Sequence, residues 1–174
     1  MPGRLNLILG PMWSGKTSEL LRRYNRYKIA NKKCLLIKYS EDNRYDKNKV
    51  VTHDKISSDA INCSSLEKLD NIVINYDVIC IDEIQFFNDA YIYCDKWANN
   101  NLIVEVCGLN GDFNRKPFKQ ISNLIPLVDN LIHLTAIDKR NGLDAPFTIR
   151  LIDSNKQKII GGNEIYDVSC RENL

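Results

Sequence analysis

Gly10-Pro11-Met12-Trp13-Ser14-Gly15-Lys16-Thr17 stands between an apolar run and a helical pattern, and that placement leaves few folds open to the chain. The eight residues fit G-x-x-x-x-G-K-[ST] in full, the spacing of a phosphate-binding loop. Glycines at both ends let the backbone curl so that successive N–H groups point inward at phosphate oxygens, while Lys16 adds a point charge near the β and γ phosphates. Thr17 is then placed to set its hydroxyl on Mg²⁺. Leu5, Leu7, Ile8 and Leu9 read as a buried strand before the loop, and residues 18–32 carry a helical pattern after it. Strand, loop and helix in that order are what such a loop requires, so a nucleoside triphosphate is the expected ligand.

The 174 residues suffice for one well-cored domain with a small appendage and fall short of two full-sized domains. Lysine and arginine total 24 against 22 acids, for a net charge of +2. That balance gives no reason to expect nucleic acid or an anionic membrane as the principal partner. No apolar run approaches ~18 residues and the amino terminus has no signal-peptide pattern, so a soluble, cytoplasmic protein is expected. Of the six cysteines, Cys34, Cys80 and Cys107 sit inside apolar runs, and no two have C-x-x-C spacing. Buried thiols are therefore expected instead of disulfides or metal ligands.

Along the first helix Leu20, Leu21, Tyr24 and Tyr27 recur at three- and four-residue spacing, with Arg22, Arg23, Asn25 and Arg26 between them. One stripe packs on a sheet and the basic residues stay wet. Cys34-Leu35-Leu36-Ile37-Lys38-Tyr39 follows as a strand, so a right-handed βαβ unit and a mostly parallel sheet are predicted. Residues 40–52 form a polar surface loop, and Ser64-Ser65-Leu66-Glu67 fits a capping box that starts a short helix. Val78-Ile79-Cys80-Ile81-Asp82-Glu83 is an apolar strand ending in two acids, the form of a Walker B strand whose Asp reaches Mg²⁺ directly or through water. Where a strand ends and turns, adjacent acids can face one crevice, one serving metal and the other a substrate hydroxyl.

Residues 89–98 read as a helix with Ala90, Ile92, Tyr93 and Trp97 inward, and residues 102–109 as a core strand. Past that strand, Arg115 and Lys116 are placed either to contact a ligand or to be ordinary solvated charges. Residues 131–137 read as the last strand of the main sheet, with His133 a strand histidine without catalytic duty. Residues 147–152 and 156–160 then read as a β-hairpin around Asp153-Ser154-Asn155.

Taken together these motifs resemble the type II thymidine kinases, the group of cytosolic cellular enzymes and their poxvirus counterparts. The resemblance runs through Gly10 to Thr17, Asp42-Asn43-Arg44-Tyr45, Thr52-His53-Asp54, Asp82-Glu83 with Gln85-Phe86-Phe87, Arg115-Lys116-Pro117-Phe118, Leu134-Thr135-Ala136 and Ile159-Ile160-Gly161-Gly162. In length the chain is similar to the short viral members. The resemblance implies an α/β fold: a RecA-like P-loop domain with a mostly parallel sheet over residues 1–137, then a small C-terminal β-hairpin or lasso appendage over residues 138–174. It implies transfer of the γ-phosphoryl of ATP to the 5′-hydroxyl of thymidine. In that pattern Glu83 is the general base, Thr17 and Asp82 serve Mg²⁺ and its waters with Asp42 in support, Lys16 holds phosphates and Arg44 stabilises charge near the transferring group. Met12, Phe86, Leu109, Phe113, Thr135 and Tyr166 wall the thymine pocket, and Ile159, Ile160, Gly161 and Gly162 belong to the lasso that closes over the base. A homo-oligomer, commonly a tetramer, and feedback inhibition by dTTP are also implied.

The chain departs from the pattern where the family holds a structural zinc by two cysteine pairs. Asp138 and Asn141 stand at the first pair, Cys170 and Asn173 at the second. Two plausible ligands do not make a tetrahedral site, so no zinc is expected and the lasso is expected to be held by packing alone. Ile84 replaces a glycine after the acid pair, where a branched residue disfavours positive φ, and Asn110 replaces an acid. Rival readings are a RecA-like ATPase that uses Glu83 to activate water, a GTPase, and a nucleotide sensor without turnover. No second lobe, basic groove or N-K-x-D motif supports the first two.

Overall fold

The computed structural model describes residues 2–41, 49–51, 57–153, 161–162 and 164–174. Asp42, Arg44, the Thr52-His53-Asp54 segment, Ile159 and Ile160 lie outside the described residues. The strands are β1 (Arg4–Gly10), β2 (Cys34–Tyr39), β3 (Lys49–Val51), β4 (Ser57–Asp59), β5 (Ile61–Cys63), β6 (Val78–Ile81), β7 (Ile103–Leu109), β8 (Asn130–His133), β9 (Ala136–Ile137), β10 (Asp144–Ala145), β11 (Phe147–Arg150) and β12 (Tyr166–Ser169). Between them run α1 (Lys16–Ile29), α2 (Asp70–Val73), α3 (Ala90–Asn99) and α4 (Lys119–Leu124).

Six strands form one sheet in the order β5-β2-β6-β7-β1-β8, every pair of them parallel. Strands buried on both faces need apolar residues at odd and even positions alike, and the sequence supplies them. Leu5, Leu7 and Leu9 of β1, with Ile79, Ile81, Val104 and Val106, face a cluster containing Ala90, Cys94, Trp97, Ile121 and Leu124 from α3 and α4. Ile8, Leu36, Cys80 and Cys107 face the opposite way onto Leu20, Leu21 and Tyr24 of α1. The result is three layers. Each of these leucines and isoleucines contributes roughly 1.5–3 kcal/mol by leaving water.

Burial corrects several expectations. Arg23 is not wet: it reaches across to β7 and pairs with Glu105 at 2.7 Å, where Asn6 and the Tyr27 hydroxyl also donate, at 2.8 and 2.9 Å. A carboxylate inside a sheet needs such partners, and burial first, then the Glu105 charge, pushes the Tyr27 hydroxyl up to about 12. Ile92 is 51% exposed on α3, and Cys94 takes the inward position. The short helix after Ser65 does form, but not by a capping box: Asp89 accepts the N–H of Glu67 at 3.0 Å and the hydroxyl of Ser65 at 2.7 Å. An acid distant in sequence satisfies the helix start just as a local one would.

Two further readings change at the carboxyl side. Residues 131–137 are not one strand, because β8 stops where its neighbour β1 gives way to the loop, and Ala136 pairs instead with Ala145 in the two-stranded β9–β10 sheet. The first strand of the expected hairpin exists as β11, but its antiparallel partner is β12, with Phe147 opposite Ser169 and Arg150 opposite Tyr166. The expected partner strand, residues 156–160, lies outside the described residues. No helix among the described residues is long and apolar enough to cross a membrane. The six cysteines are free thiols.

Candidate active site

The loop joins the end of β1 to the start of α1 as the spacing predicts. Left-handed backbone at Trp13 (φ 55°) and Gly15 (φ 82°) turns it, and no side chain caps the first turn of α1. Helix-start N–H groups without a side-chain cap are what an anionic phosphate binds. The loop braces itself: the Ser14 hydroxyl donates to the Pro11 carbonyl at 2.9 Å, and the Lys16 ammonium reaches the same carbonyl at 2.5 Å and Ser14 Oγ at 3.5 Å. Met12 N–H donates to Thr148 Oγ1 on β11 at 3.1 Å, tying the loop to the C-terminal segment.

Facing the loop, β6 ends and delivers Asp82 and Glu83. Thr17 Oγ1 lies 3.3 and 3.4 Å from the two Asp82 carboxylate oxygens. Asp82 is 7% exposed, and its Oδ1 accepts the Cys107 thiol at 2.9 Å and the Glu83 N–H at 3.1 Å. Burial and then the Asp82 charge push the Cys107 thiol well above its ordinary range, so it stays a donor. Hard oxygens from a hydroxyl and a carboxylate side by side suit Mg²⁺, which binds few protein ligands and keeps waters. These two residues fit that ion.

Positive φ does occur at this turn, at Glu83 and not at Ile84. Glu83 has φ 55° and ψ 45°, and Ile84 begins a right-handed 3-10 turn, Ile84–Phe86, in the core. A non-glycine residue held there costs about 1–3 kcal/mol, a strain that clusters at functional sites. The branched residue is tolerated because the left-handed step precedes it. The Glu83 carboxylate accepts the Gln85 amide at 2.6 Å.

Beside the loop, Met12 and Tyr166 are buried together with Ala136, Ala145 and Val168, and Trp13 and Leu109 pack against them. Phe113 joins through Arg150, whose guanidinium lies 3.7 Å above the Phe113 ring and donates to the Tyr166 hydroxyl at 2.9 Å. Phe86 sits with Tyr39 and Phe118, ring centroids 5.4 and 6.4 Å away, in the cluster that Leu109 also touches. The Thr135 hydroxyl donates to Asp144 at 3.0 Å on the exposed side of the same segment. The Gly162 carbonyl accepts the N–H groups of Ile165 and Tyr166 at 3.1 and 3.0 Å, turning the chain from Gly161-Gly162 into β12. Arg115 and Lys116 are exposed on a turn built around Asp112, and Asn110 bonds His133 and the Pro146 carbonyl, each at 3.1 Å. Sequence reasoning gives no site role to Arg150, Thr148 or Cys107, and Gln85 enters it only as part of the Gln85-Phe86-Phe87 match. An arginine or glutamine in a strand or turn carries no local signal of what it will meet.

The four positions at which a zinc is implied do come together, but as a hydrogen-bonded clasp. Asp138, 1% exposed, accepts Arg140 Nη2 at 2.7 Å and Nε at 2.9 Å, the N–H groups of Cys170 and Arg140 at 2.9 and 3.0 Å, and the Asn173 amide at 3.1 Å. Asn141 donates to the Cys170 sulfur at 3.2 Å. One saturated carboxylate, one occupied thiol and two amides do not fit a tetrahedral zinc site. The expectation of packing alone is therefore corrected: an ion pair within the turn after β9 is hydrogen-bonded to Ser169, Cys170 and Asn173 at the end of β12 and beyond. Arg140 first, then the N–H donors, holds the Asp138 carboxyl below the usual carboxylate range. A depressed folded value means the clasp's contribution to stability is full above ~3.9, the ordinary value of aspartate, and is lost as pH falls from there through the folded value, where the carboxylate itself takes up its proton. Hydrogen exchange at Cys170 N–H, corrected for intrinsic rate, should lose roughly tenfold protection or more in Asp138→Ala at neutral pH, with wild type approaching it in acid. Unchanged protection in the variant would show the clasp to be idle.

The family model described as thymidine kinase matches residues 3–174. The thymidine kinase of vaccinia virus strain Western Reserve is 45% identical over 170 residues, covering 98% of this chain and 96% of that protein. That of raccoon poxvirus is 45% identical with the same coverage. Thymidine kinase 1 of Dictyostelium discoideum is 44% identical over 173 residues, 97% of this chain and 76% of that protein. A phosphate loop facing paired acids, on a chain matched almost end to end by the family model, places this protein in the thymidine kinase family.

Proposed function

We propose that the protein transfers the γ-phosphoryl of ATP to the 5′-hydroxyl of thymidine. The observation that carries this reading is the meeting of Thr17 and Asp82 at 3.3 Å, with Glu83 next to them and a cluster of buried apolar side chains beside the loop. Phosphoryl transfer is mostly positioning and charge neutralisation, and each part has a residue. Glu83 takes the proton of the 5′-hydroxyl as its oxygen bonds to the γ-phosphorus; the bond to the β–γ bridging oxygen breaks and ADP leaves. Lys16 holds the phosphates with the loop N–H groups of residues 10–17. Thr17 and Asp82 would hold Mg²⁺, which when bound would supply positive charge to neutralise the phosphates; Asp42 would support its water and Arg44 would stabilise charge near the transferring group.

Met12, Phe86, Leu109, Phe113, Thr135 and Tyr166 wall the base, and a lasso within residues 138–174 that includes Ile159 to Gly162 closes over it. Backbone donors and acceptors read the pyrimidine edge, and the apolar wall senses the thymine methyl, a group worth only ~1–3 kcal/mol. The protein acts in the cytoplasm as a homo-oligomer, a tetramer in the family pattern, and dTTP inhibits it by occupying both substrate sites. Neither nucleic acid nor a membrane is a partner.

Incubation with Mg·ATP and each deoxynucleoside in turn tests the reading. Thymidine-dependent formation of the 5′-monophosphate is expected; ATP loss without nucleoside phosphorylation would instead support a RecA-like ATPase, and binding without turnover a sensor. Metal analysis of purified protein is expected to find far less than one zinc per chain, and near-stoichiometric zinc would overturn the reading of Asp138, Asn141, Cys170 and Asn173.

A further inference from the structure

Gln85 is 2% exposed, two residues past Glu83 on the 3-10 turn Ile84–Phe86. A buried amide must find partners for both of its ends, and here both are named. Leu109 N–H donates to Gln85 Oε1 at 3.1 Å. A backbone N–H can only donate, so the carbonyl end of the amide must face β7 and the NH₂ end must face Glu83, whose Oε2 it reaches at 2.6 Å. The residue before Leu109 is Gly108, and a Cβ there would stand 2.5 Å from Gln85 Oε1. The same Cβ would stand 2.9 Å from Ile84 Cγ2, so β7 near its carboxyl end, where β1 still pairs with Gly108, leaves room for the turn that carries Gln85.

We propose that Gln85 is the positioning residue of the catalytic carboxylate: it is anchored in the β7 backbone by Leu109 and holds one oxygen of Glu83 in place for the incoming hydroxyl. The proposal rests on the assignment of Glu83 as the base. Glu83 sits on a strained backbone with several rotatable bonds between that backbone and its oxygens, and a hydrogen bond from a rigid neighbour removes that freedom. On the proposed reading the Leu109 side chain walls the base, so the backbone anchor of Gln85 lies beside the nucleoside.

The test is a double-mutant cycle. Gln85→Met keeps length and burial but removes the amide. In wild type it should lower kcat roughly tenfold, with the KM for ATP within about twofold. In a Glu83→Gln background, where no carboxylate remains to be aimed, it should lower kcat no further. Gly108→Ala, which keeps Gln85 but drives its carbonyl end aside, should show the same dependence on background and serves if Gln85→Met does not fold. An equal loss in both backgrounds would make Gln85 a merely structural residue, and no loss in wild type would remove it from the reaction; either overturns the proposal and leaves Glu83 as the base. Unchanged turnover in Glu83→Gln alone would overturn the base assignment itself, and this inference with it.

Discussion

In Glu83→Gln protein, thymidine-dependent turnover is expected to fall roughly a hundredfold or more while ATP binding stays within about twofold, the pattern of a lost general base. The substitution is chosen because it changes little else. An amide at this position has the same shape, its oxygen can still accept from Gln85, and the backbone N–H of residue 83 still donates to Asp82 Oδ1, as it does at 3.1 Å in the wild type. The left-handed backbone is also retained, so the strain stays and the proton acceptor goes. Steady-state kinetics with thymidine varied at saturating Mg·ATP, together with a nucleotide-binding isotherm, give both numbers. Turnover near the wild-type value would remove Glu83 from the chemistry.

Asp82→Asn is expected to act on a different quantity. Asp82 sits between the Thr17 hydroxyl, the Cys107 thiol and the Glu83 N–H, and asparagine can keep the two donors that share Oδ1 while losing the negative charge beside Thr17. The fold should therefore survive. The concentration of Mg²⁺ needed for half-maximal activity should rise about ten- to a hundredfold, and kcat should fall even at high Mg²⁺. Glu83→Gln should leave that Mg²⁺ concentration unchanged, so the two variants separate metal holding from proton transfer. An unaltered Mg²⁺ dependence in Asp82→Asn would show that the ion is held elsewhere.

Much of the catalytic end was legible from residues in a row, because the chemistry there is local. Gly10 to Thr17 needs one spacing and one neighbouring strand and helix, and β1, β2, β6 and β7 announce themselves as apolar runs that only a doubly covered parallel sheet can bury. The adjacency of Asp82 and Glu83 to the end of β6 follows from the same run. What lay beyond reach was every pairing between segments distant in the chain. Arg23 looks like a surface cation until β7 brings Glu105 beneath it, Ser65 looks like the start of a capping box until Asp89 arrives, and nothing near Phe147 says that its strand partner lies beyond Gly162.

The same division runs through the site. Local spacing and periodicity settled that this chain has a phosphate-binding loop, a parallel sheet behind it and two acids at a strand end, since each depends on backbone angles and burial over a few residues. Long-range packing settled that Cys107 and Thr17 converge on Asp82, that Gln85 spans from Leu109 to Glu83, and that Asp138 and Arg140 clasp the segment around Cys170. Those contacts join residues tens of positions apart or depend on which way a turn is wound. A hydrogen bond is specified by position within a few tenths of an ångström, and only the closed sheet with its covering layers supplies that precision.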